Sequence, residues 1–226
     1  TDKTQPAMLA AGIAVWRCWE ATSQYKPAYL AGHSLGEYTA LVAAQALDFK
    51  TAIKLVEKRG QLMQQAVPSG EGAMAAILGL DDDVVKAVCQ KASDIGVVEA
   101  VNFNSPGQVV IAGTKSAVDK AVEIATEKGA KRALLLPVSV PSHCALMRPA
   151  AEELLTELES VTLQAPQIPV IHNTSVSTTA DPDEIRQLLA QQLYNPVRWV
   201  ETVEWLAAQG VDTLVECGPG KVLAGL

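Results

Sequence analysis

The segment that most constrains the fold is a short apolar run, residues 28–31, that passes through Gly32-His33-Ser34-Leu35-Gly36 into an Ala-rich apolar stretch over 35–47. This order predicts a strand, a sharp turn and a helix. Glycines on either side of a serine permit a strained turn that lifts the hydroxyl above the sheet edge, as in a nucleophile elbow. The segment predicts Ser34 as a nucleophile on a strand–turn–helix unit; the alternative is a structural serine.

A serine nucleophile needs an oxyanion donor and a base. The first N–H groups of the following helix, beginning with Leu35, are expected to face the oxyanion. The chain has three histidines. His33 adjoins the serine and its ring is expected to point elsewhere, while His172 lies in an apolar run where a core histidine is the default. His143, in a loop after a predicted strand, is the predicted base; the alternative is an ordinary loop imidazole.

The base in turn needs an acceptor for its second ring nitrogen. In a predicted helix, the carbonyl of Gln192 would accept from the N–H of residue 196, but Pro196 has none. We therefore expect the Gln192 carbonyl to hold Nδ1–H of His143. Water is the ordinary occupant of such a carbonyl, and Asp181 and Asp183 are the conventional carboxylate alternatives.

An arginine lies on the apolar side of the helix predicted over residues 50–66. The apolar stripe consists of Ala52, Leu55, Val56, Leu62, Met63 and Ala66. Arg59 falls inside this stripe, and a guanidinium directed into a core must be paired, for which a carboxylate fits its two-pronged geometry. Arg59 is a candidate ligand for a dicarboxylic acyl group, with Met63 lining the same pocket. The alternative is an internal partner, such as a Glu or helix-end carbonyls.

The middle of the chain predicts a separate sheet. Residues 70–138 alternate as strand, helix, strand, strand, helix, strand, the βαββαβ order of a ferredoxin-like subdomain. It would be inserted between residues 1–69 and 139–226, which form the larger α/β catalytic subdomain; the alternative is that these elements extend the main sheet. After it we predict strands over 169–172 and 213–217 and helices over 182–193 and 200–209.

Composition excludes several classes of partner. The formal net charge of -7 disfavours nucleic acid, and the sequence has no apolar run long enough to span a bilayer. The four cysteines are far apart and show no metal-ligand spacing. We therefore expect free thiols, no metal site and a cytoplasmic protein.

Five ordered motifs carry a resemblance to a known family. They are Gly32-His33-Ser34-Leu35-Gly36-Glu37-Tyr38, Glu57-Lys58-Arg59-Gly60 with Met63, Asn102-Phe103-Asn104-Ser105-Pro106-Gly107-Gln108, Val140-Pro141-Ser142-His143, and Gln192-Leu193-Tyr194-Asn195-Pro196-Val197. Over essentially its whole length the chain resembles malonyl-CoA:acyl carrier protein transacylases, most of all the free-standing bacterial type II enzyme.

The resemblance implies a hydrolase-like α/β core with a mostly parallel sheet and a ferredoxin-like (βαββαβ) insertion. It also implies a role for each matching residue. Ser34 would be acylated, His143 would be the base, the Gln192 carbonyl would orient it, and Arg59 would bind the malonyl carboxylate. The remaining implied substrate-site residues are Met63, His33, Ser142 and Asn104. Lys131 and Arg132 match a basic spot for a carrier-protein or CoA phosphate, the alternative being a solvated strand start.

The resemblance also implies segments beyond both ends of the sequence. The family begins with a strand and a Gly-Gln-Gly-Ser-Gln loop, whose Gln N–H is the second oxyanion donor, and it continues past the residue that matches Leu226. We therefore expect this chain to lack the N-terminal strand and the C-terminal end, and to carry one of the two oxyanion donors.

The expected activity is transfer of a malonyl group from malonyl-CoA to acyl carrier protein, without a cofactor and by a monomer. Two alternatives belong to other classes. The first is a serine esterase or thioesterase on the same elbow, against which a buried arginine argues. The second is a non-catalytic module that binds acyl-CoA or the carrier protein.

Overall fold

A computed structural model describes residues 2–138 and 140–226 of the chain. The helices are α1 Thr4–Thr22, α2 Leu35–Ala43, α3 Phe49–Gln65, α4 Asp82–Ala92, α5 Lys115–Glu127, α6 Arg148–Glu159, α7 Pro182–Gln191 and α8 Trp199–Ala208. The strands are β1 Leu30–Ala31, β2 Gly72–Leu78, β3 Val98–Ser105, β4 Gln108–Thr114, β5 Arg132–Leu135 and β6 Val170–Ile171.

These elements form two compact units. The first unit comprises Thr1–Gln61, Leu154–Ala190 and Glu201–Leu226, and the second comprises Leu62–Glu153 and Gln191–Val200. The second unit contains the segment predicted as an insertion, 70–138, with further residues on both sides of it.

The first unit contains the strand, turn and helix predicted around the serine. Strand β1 pairs in parallel with β6, with Leu30 opposite Val170 and Ala31 opposite Ile171. Both strands therefore end at the same edge of this sheet, and the residues that follow them meet there. Helix α2 begins at Leu35 and packs against α1.

The second unit is built on a four-stranded antiparallel sheet in the order β3-β4-β2-β5. Alternating residues of β2 point to opposite faces: Ala75 and Ile77 pack in a core with α4 and α5, whereas Met74 packs in a second core with Cys144. The predicted βαββαβ order is confirmed, and the strand order is that of a ferredoxin-like sheet.

Two sequence interpretations were incomplete. Helix α6 was not predicted, although its buried Ala150, Leu154 and Leu158 recur at the spacing of one helix face. The predicted strand over 213–217 was wrong, since no strand forms there in the described part of the chain, and Leu214 and Val215 are exposed. A short apolar segment can favour a strand, but backbone ladder bonds require a neighbour.

Candidate active site

Ser34 sits between β1 and α2 in a backbone conformation that is rare for a residue with a side chain. Its φ is 51° and its ψ is -108°, a conformation that costs about 1–3 kcal/mol. The neighbouring turn is closed because the N–H of Gly36 donates to the carbonyl of His33 at 2.9 Å and that of Glu37 to the carbonyl of Ser34 at 3.1 Å. Such strain, held by surrounding bonds, is typical of a nucleophile elbow.

The two glycines of the motif have different roles from those predicted. A Cβ on Gly32 would lie 2.0 Å from the backbone of Gly36, so this close approach requires glycine. A Cβ on Gly36 would meet nothing within 4 Å. The positive φ is carried by Ser34 itself and not by the glycines.

The side chain of Asn173 bridges the elbow. Its Oδ1 accepts from the N–H of Ser34 and its Nδ2 donates to the carbonyl of Gly32, both at 2.7 Å. The backbone N–H of Asn173 donates to Oε2 of Glu37 at 3.1 Å, and Oε1 of Glu37 lies 2.7 Å from Nδ1 of His172. His172 is fully buried, which confirms the expectation of a core histidine.

This network was not predicted from the sequence. Glu37 and Asn173 lie 136 residues apart in the chain, and no local pattern connects them. The available signal was position: Gly32 and Asn173 follow the carboxyl ends of two short apolar runs, where parallel strands place their loops together.

Arg59 lies on α3 and is only 1% exposed. Its Nη2 donates to Oγ of Ser34 at 3.2 Å, its Nη1 donates to Oε1 of Gln5 at 2.7 Å, and its guanidinium carbon stands 5.4 Å from the ring centre of Tyr38. Its internal partners therefore include the neutral side chain of Gln5 and the hydroxyl of Ser34. The guanidinium is buried beside the nucleophile, where it can hold an anionic group.

Burial governs the ionisation of this pocket. It lowers the pKa of Arg59, a shift that the nearby Tyr38 and Glu37 counteract. An arginine nevertheless stays protonated in proteins. Burial also raises the pKa of Tyr38 to about 12, so its hydroxyl is neutral at physiological pH. The site in this unit therefore combines a permanent cation with a neutral phenol.

His143 lies in the second unit, with a positive φ of 68° and 3% exposure. The backbone N–H of His143 donates to the carbonyl of Leu193 at 2.9 Å, and its ring Nδ1 lies 2.7 Å from the carbonyl oxygen of Gln192. A carbonyl can only accept, so Nδ1 carries a proton and, in the neutral ring, Nε2 carries the lone pair. The contact predicted between His143 and Gln192 is present.

The carbonyls of Gln192 and Leu193 directly follow Gln191, the last residue of α7. The preceding carbonyl, that of Gln191, accepts from Nδ2 of Asn195 at 2.8 Å and from the N–H of Tyr194 at 3.2 Å. The carbonyls of Gln192 and Leu193 accept from His143 instead. The bonds that would continue the helix are thus replaced by an asparagine side chain and a histidine.

The other predicted residues occupy varied positions. Leu35 is the first residue of α2, Met63 is buried one turn after Arg59 on α3, and Asn104 is half-buried on β3. His33 and Ser142 are half-buried, directly before Ser34 and His143. Lys131 and Arg132 are exposed, and Arg132 opens β5.

The two carboxylate alternatives for the base's orienting group serve another purpose. Oδ1 of Asp181 accepts from the N–H of Asp183 at the start of α7, at 2.9 Å. The side chain of Asp183 is 89% exposed and pairs with Arg186. These are helix-capping and surface contacts, whereas Nδ1 of His143 bonds to a backbone carbonyl.

The part of the chain that the structure describes shows neither a metal-binding cluster nor a membrane-spanning helix. Among residues 2–138 and 140–226, no three or more His, Cys, Asp or Glu side chains gather as a metal would require. No helix in these same ranges combines the length and the apolar character needed to cross a membrane.

Comparison with known proteins agrees with the geometry. Residues 1–225 match the acyl transferase domain family. The malonyl CoA-acyl carrier protein transacylase of Escherichia coli strain K12 is 57% identical over 226 residues, 100% of this chain and 73% of that protein. The crystal structure of an acyl carrier protein S-malonyltransferase from Vibrio cholerae O1 is 61% identical, covers 100% of this chain and 74% of its own, and superposes with a TM-score of 0.98.

A third relative was solved with a partner. It is a malonyl-transacylase in complex with its type II PKS acyl-carrier protein, 55% identical, with a TM-score of 0.98 over 100% of this chain and 73% of the other. The chain therefore belongs to the acyl transferase domain family and, within it, to the malonyl-CoA:acyl carrier protein transacylases.

Proposed function

We propose that this protein transfers a malonyl group from malonyl-CoA to the phosphopantetheine thiol of acyl carrier protein through a malonyl ester on Ser34. The observation that carries the proposal is the 3.2 Å contact between Nη2 of Arg59 and Oγ of Ser34. A buried permanent cation beside a serine on an elbow suits an acyl group that carries its own negative charge close to the reacting carbonyl.

The chemistry of the malonyl group supports this reading. Its carboxylate is separated from the thioester carbonyl by a single methylene, so a carboxylate bound by Arg59 leaves the carbonyl close to Oγ of Ser34. A two-pronged guanidinium–carboxylate pair would fix the orientation as well as the charge. An uncharged acyl group has no carboxylate and could not form this charge-assisted pair with the guanidinium.

The proposed acylation uses groups of this chain only. His143 accepts the proton of Ser34 at Nε2, because the Gln192 carbonyl keeps its other nitrogen protonated. Oγ attacks the thioester carbonyl, and the resulting oxyanion is stabilised by the N–H of Leu35. When the carbon–sulfur bond breaks, His143 returns the proton to the CoA sulfur.

The second half repeats these steps in reverse. His143 takes the proton of the carrier's thiol, whose sulfur attacks the malonyl-serine carbonyl, and Ser34 leaves with that proton. The balance requires neither a metal nor a bound cofactor.

Six other side chains complete the proposed site. His33, Met63, Asn104 and Ser142 would line the malonyl and pantetheine path, as the resemblance implies. Lys131 and Arg132 would attract a phosphate of CoA or of the carrier, consistent with their exposure.

We also propose residues 70–138 as an inserted ferredoxin-like subdomain of a larger catalytic body, 1–69 and 139–226. A cytoplasmic location is consistent with four free cysteines, Cys18, Cys89, Cys144 and Cys217.

Incubation with malonyl-CoA followed by intact-mass measurement tests the proposal. We expect a malonyl adduct on the wild type that Ser34→Ala does not form, and that disappears when carrier protein with a free phosphopantetheine thiol is added. Malonate released without carrier, at the rate at which CoA appears, would identify a hydrolase. Binding of malonyl-CoA without any adduct would identify a non-catalytic module.

A further inference from the structure

The side chain of Asn173 is positioned as a clip across the nucleophile turn. It accepts from the N–H of Ser34 and donates to the carbonyl of Gly32, with both distances 2.7 Å and only 1% of the residue exposed. One end of the clip must accept and the other must donate. A carboxamide offers both in one fixed plane without any change of protonation.

The clip determines which backbone amides face the reaction. The N–H of Ser34 is committed to Asn173, so it is not an oxyanion donor, and that task passes to the N–H groups that open α2, beginning with Leu35. The clip also opposes relaxation of Ser34 from its φ of 51°. A relaxed serine would move both Oγ and the N–H of Leu35.

Two buried residues, Glu37 and His172, hold Asn173 in place. Oε2 of Glu37 accepts from the backbone N–H of Asn173, and Oε1 contacts Nδ1 of His172. Glu37 is 1% exposed and lies on α2, and its own N–H donates to the carbonyl of Ser34. Ser34, Asn173 and Glu37 therefore form a closed ring of hydrogen bonds around the start of the helix.

We infer that Asn173 is a positioning residue for the nucleophile, that its carboxamide is required in this role, and that Glu37 and His172 keep it in place. The inference rests on the proposed acylation of Ser34. It predicts an effect on the rate of acylation at saturating malonyl-CoA, with little effect on the concentration of malonyl-CoA that gives half the maximal rate.

The decisive variant is Asn173→Asp. An ionised aspartate can still accept from the N–H of Ser34, but its second oxygen would face the carbonyl oxygen of Gly32 and repel it. Burial and this contact both raise the pKa of the introduced carboxyl. Its protonated form, present below that pKa, donates to Gly32 as the amide does, and the bond is lost as the pH rises through that pKa.

The measurement is the single-turnover rate of adduct formation on Ser34, given as the ratio of Asn173→Asp to wild type across a pH series. We expect the variant to be slower by about 10²-fold where its carboxyl is ionised, since misplacement of a reacting group costs about this much. The ratio should rise as the pH falls. Loss of the base at low pH affects both proteins and cancels in the ratio.

Two further variants separate positioning from stability. Asn173→Ala should be slow at every pH, because it cannot regain the bond to Gly32. Ile185→Val, which trims a buried side chain of α7 that has no part in the proposed acylation, should lower the melting temperature and leave the acylation rate within about twofold.

The possible outcomes are distinct. Failure of the wild type to form any adduct contradicts the proposed function. If the wild type is acylated and both Asn173 variants react within twofold of it, the positioning role is wrong. A ratio for Asn173→Asp that is low and independent of pH also overturns it, because a purely structural defect has no reason to follow protonation of one carboxyl.

Discussion

The nucleophile turn and the base loop solve the same problem with different groups. Ser34 and His143 both have a positive φ, 51° and 68°, in which a side chain is strained. The turn is held by the side chain of Asn173, whereas the loop is held by the backbone carbonyls of Gln192 and Leu193. A position held by a side chain is sensitive to substitution of that residue. A position held by backbone carbonyls depends instead on the path of the main chain.

The largest effects should come from the two reacting groups themselves. Ser34→Ala should form no malonyl adduct, and His143→Ala should form it more slowly by about 10²–10⁴-fold, the usual contribution of a general base. Rapid-quench measurement of the adduct tests both. Lys120→Ala, an exposed change on α5, is the control and should react like the wild type. If His143→Ala reacted at the wild-type rate, His143 would not be the catalytic base.

Arg59 should account for the choice of acyl group. Arg59→Ala should lower acylation by malonyl-CoA by roughly 10–10²-fold, as expected for loss of hydrogen bonds to a charged partner. Acylation by acetyl-CoA should fall less or rise, because the acetyl group has no carboxylate for the guanidinium to bind. Side-by-side adduct measurement with both thioesters gives the ratio.

The neighbouring Lys58→Ala is the matched control for Arg59. Lys58 is a surface cation that pairs with Glu157 at 3.4 Å and is 41% exposed. Its removal should leave the preference for malonyl over acetyl within about twofold, since exposed ion pairs contribute little. Equal labelling of the wild type by both thioesters would contradict the role of Arg59.

The base loop offers a test that separates backbone from side chain. Gln192→Ala keeps the carbonyl that holds His143 and should retain the acylation rate within a few-fold once folding is confirmed. Pro196→Ala adds an N–H that can compete for this carbonyl. We expect it to be slower by at most about tenfold, the weight of one hydrogen bond.

Single-turnover rates and melting curves of both variants give the comparison. The prediction that Pro196→Ala is the slower variant is contradicted if Gln192→Ala is acylated much more slowly at equal stability. In that case the side chain of Gln192, and not its carbonyl, would orient the base.

The smallest effect of a substitution should be on the chemical labelling of Cys144, the residue after His143. Its Sγ donates to the carbonyl of Pro141 at 3.1 Å, and burial raises the pKa of the thiol to about 12. Alkylation requires the thiolate, so at about pH 8 Cys144 should react far more slowly than exposed Cys18. Pro196→Ala should accelerate its labelling modestly, as measured by peptide mass spectrometry. Equal labelling of Cys144 and Cys18 in the folded wild type would show that the loop opens freely.

Much of this arrangement follows from local patterns. The elbow around Ser34 is a run of a few residues whose sterics permit one turn, and the burial of Arg59 follows from helical periodicity. The contact between Gln192 and His143 follows from the missing N–H of Pro196. By contrast, the strand predicted over 213–217 does not form, because strand formation depends on a neighbour that local patterning does not specify.

The sequence by itself therefore determined the nucleophile turn, the buried cation and the open carbonyl, since backbone sterics and side-chain periodicity act within a few residues. Only the tertiary structure decided that Gln5 pairs with Arg59, that Ser34 rather than a glycine carries the positive φ, and that Asn173 holds it. Ser34 and Asn173 are 139 residues apart. Their hydrogen bond exists because β1 and β6 pair in parallel and end at one edge, a long-range packing event that no local pattern encodes.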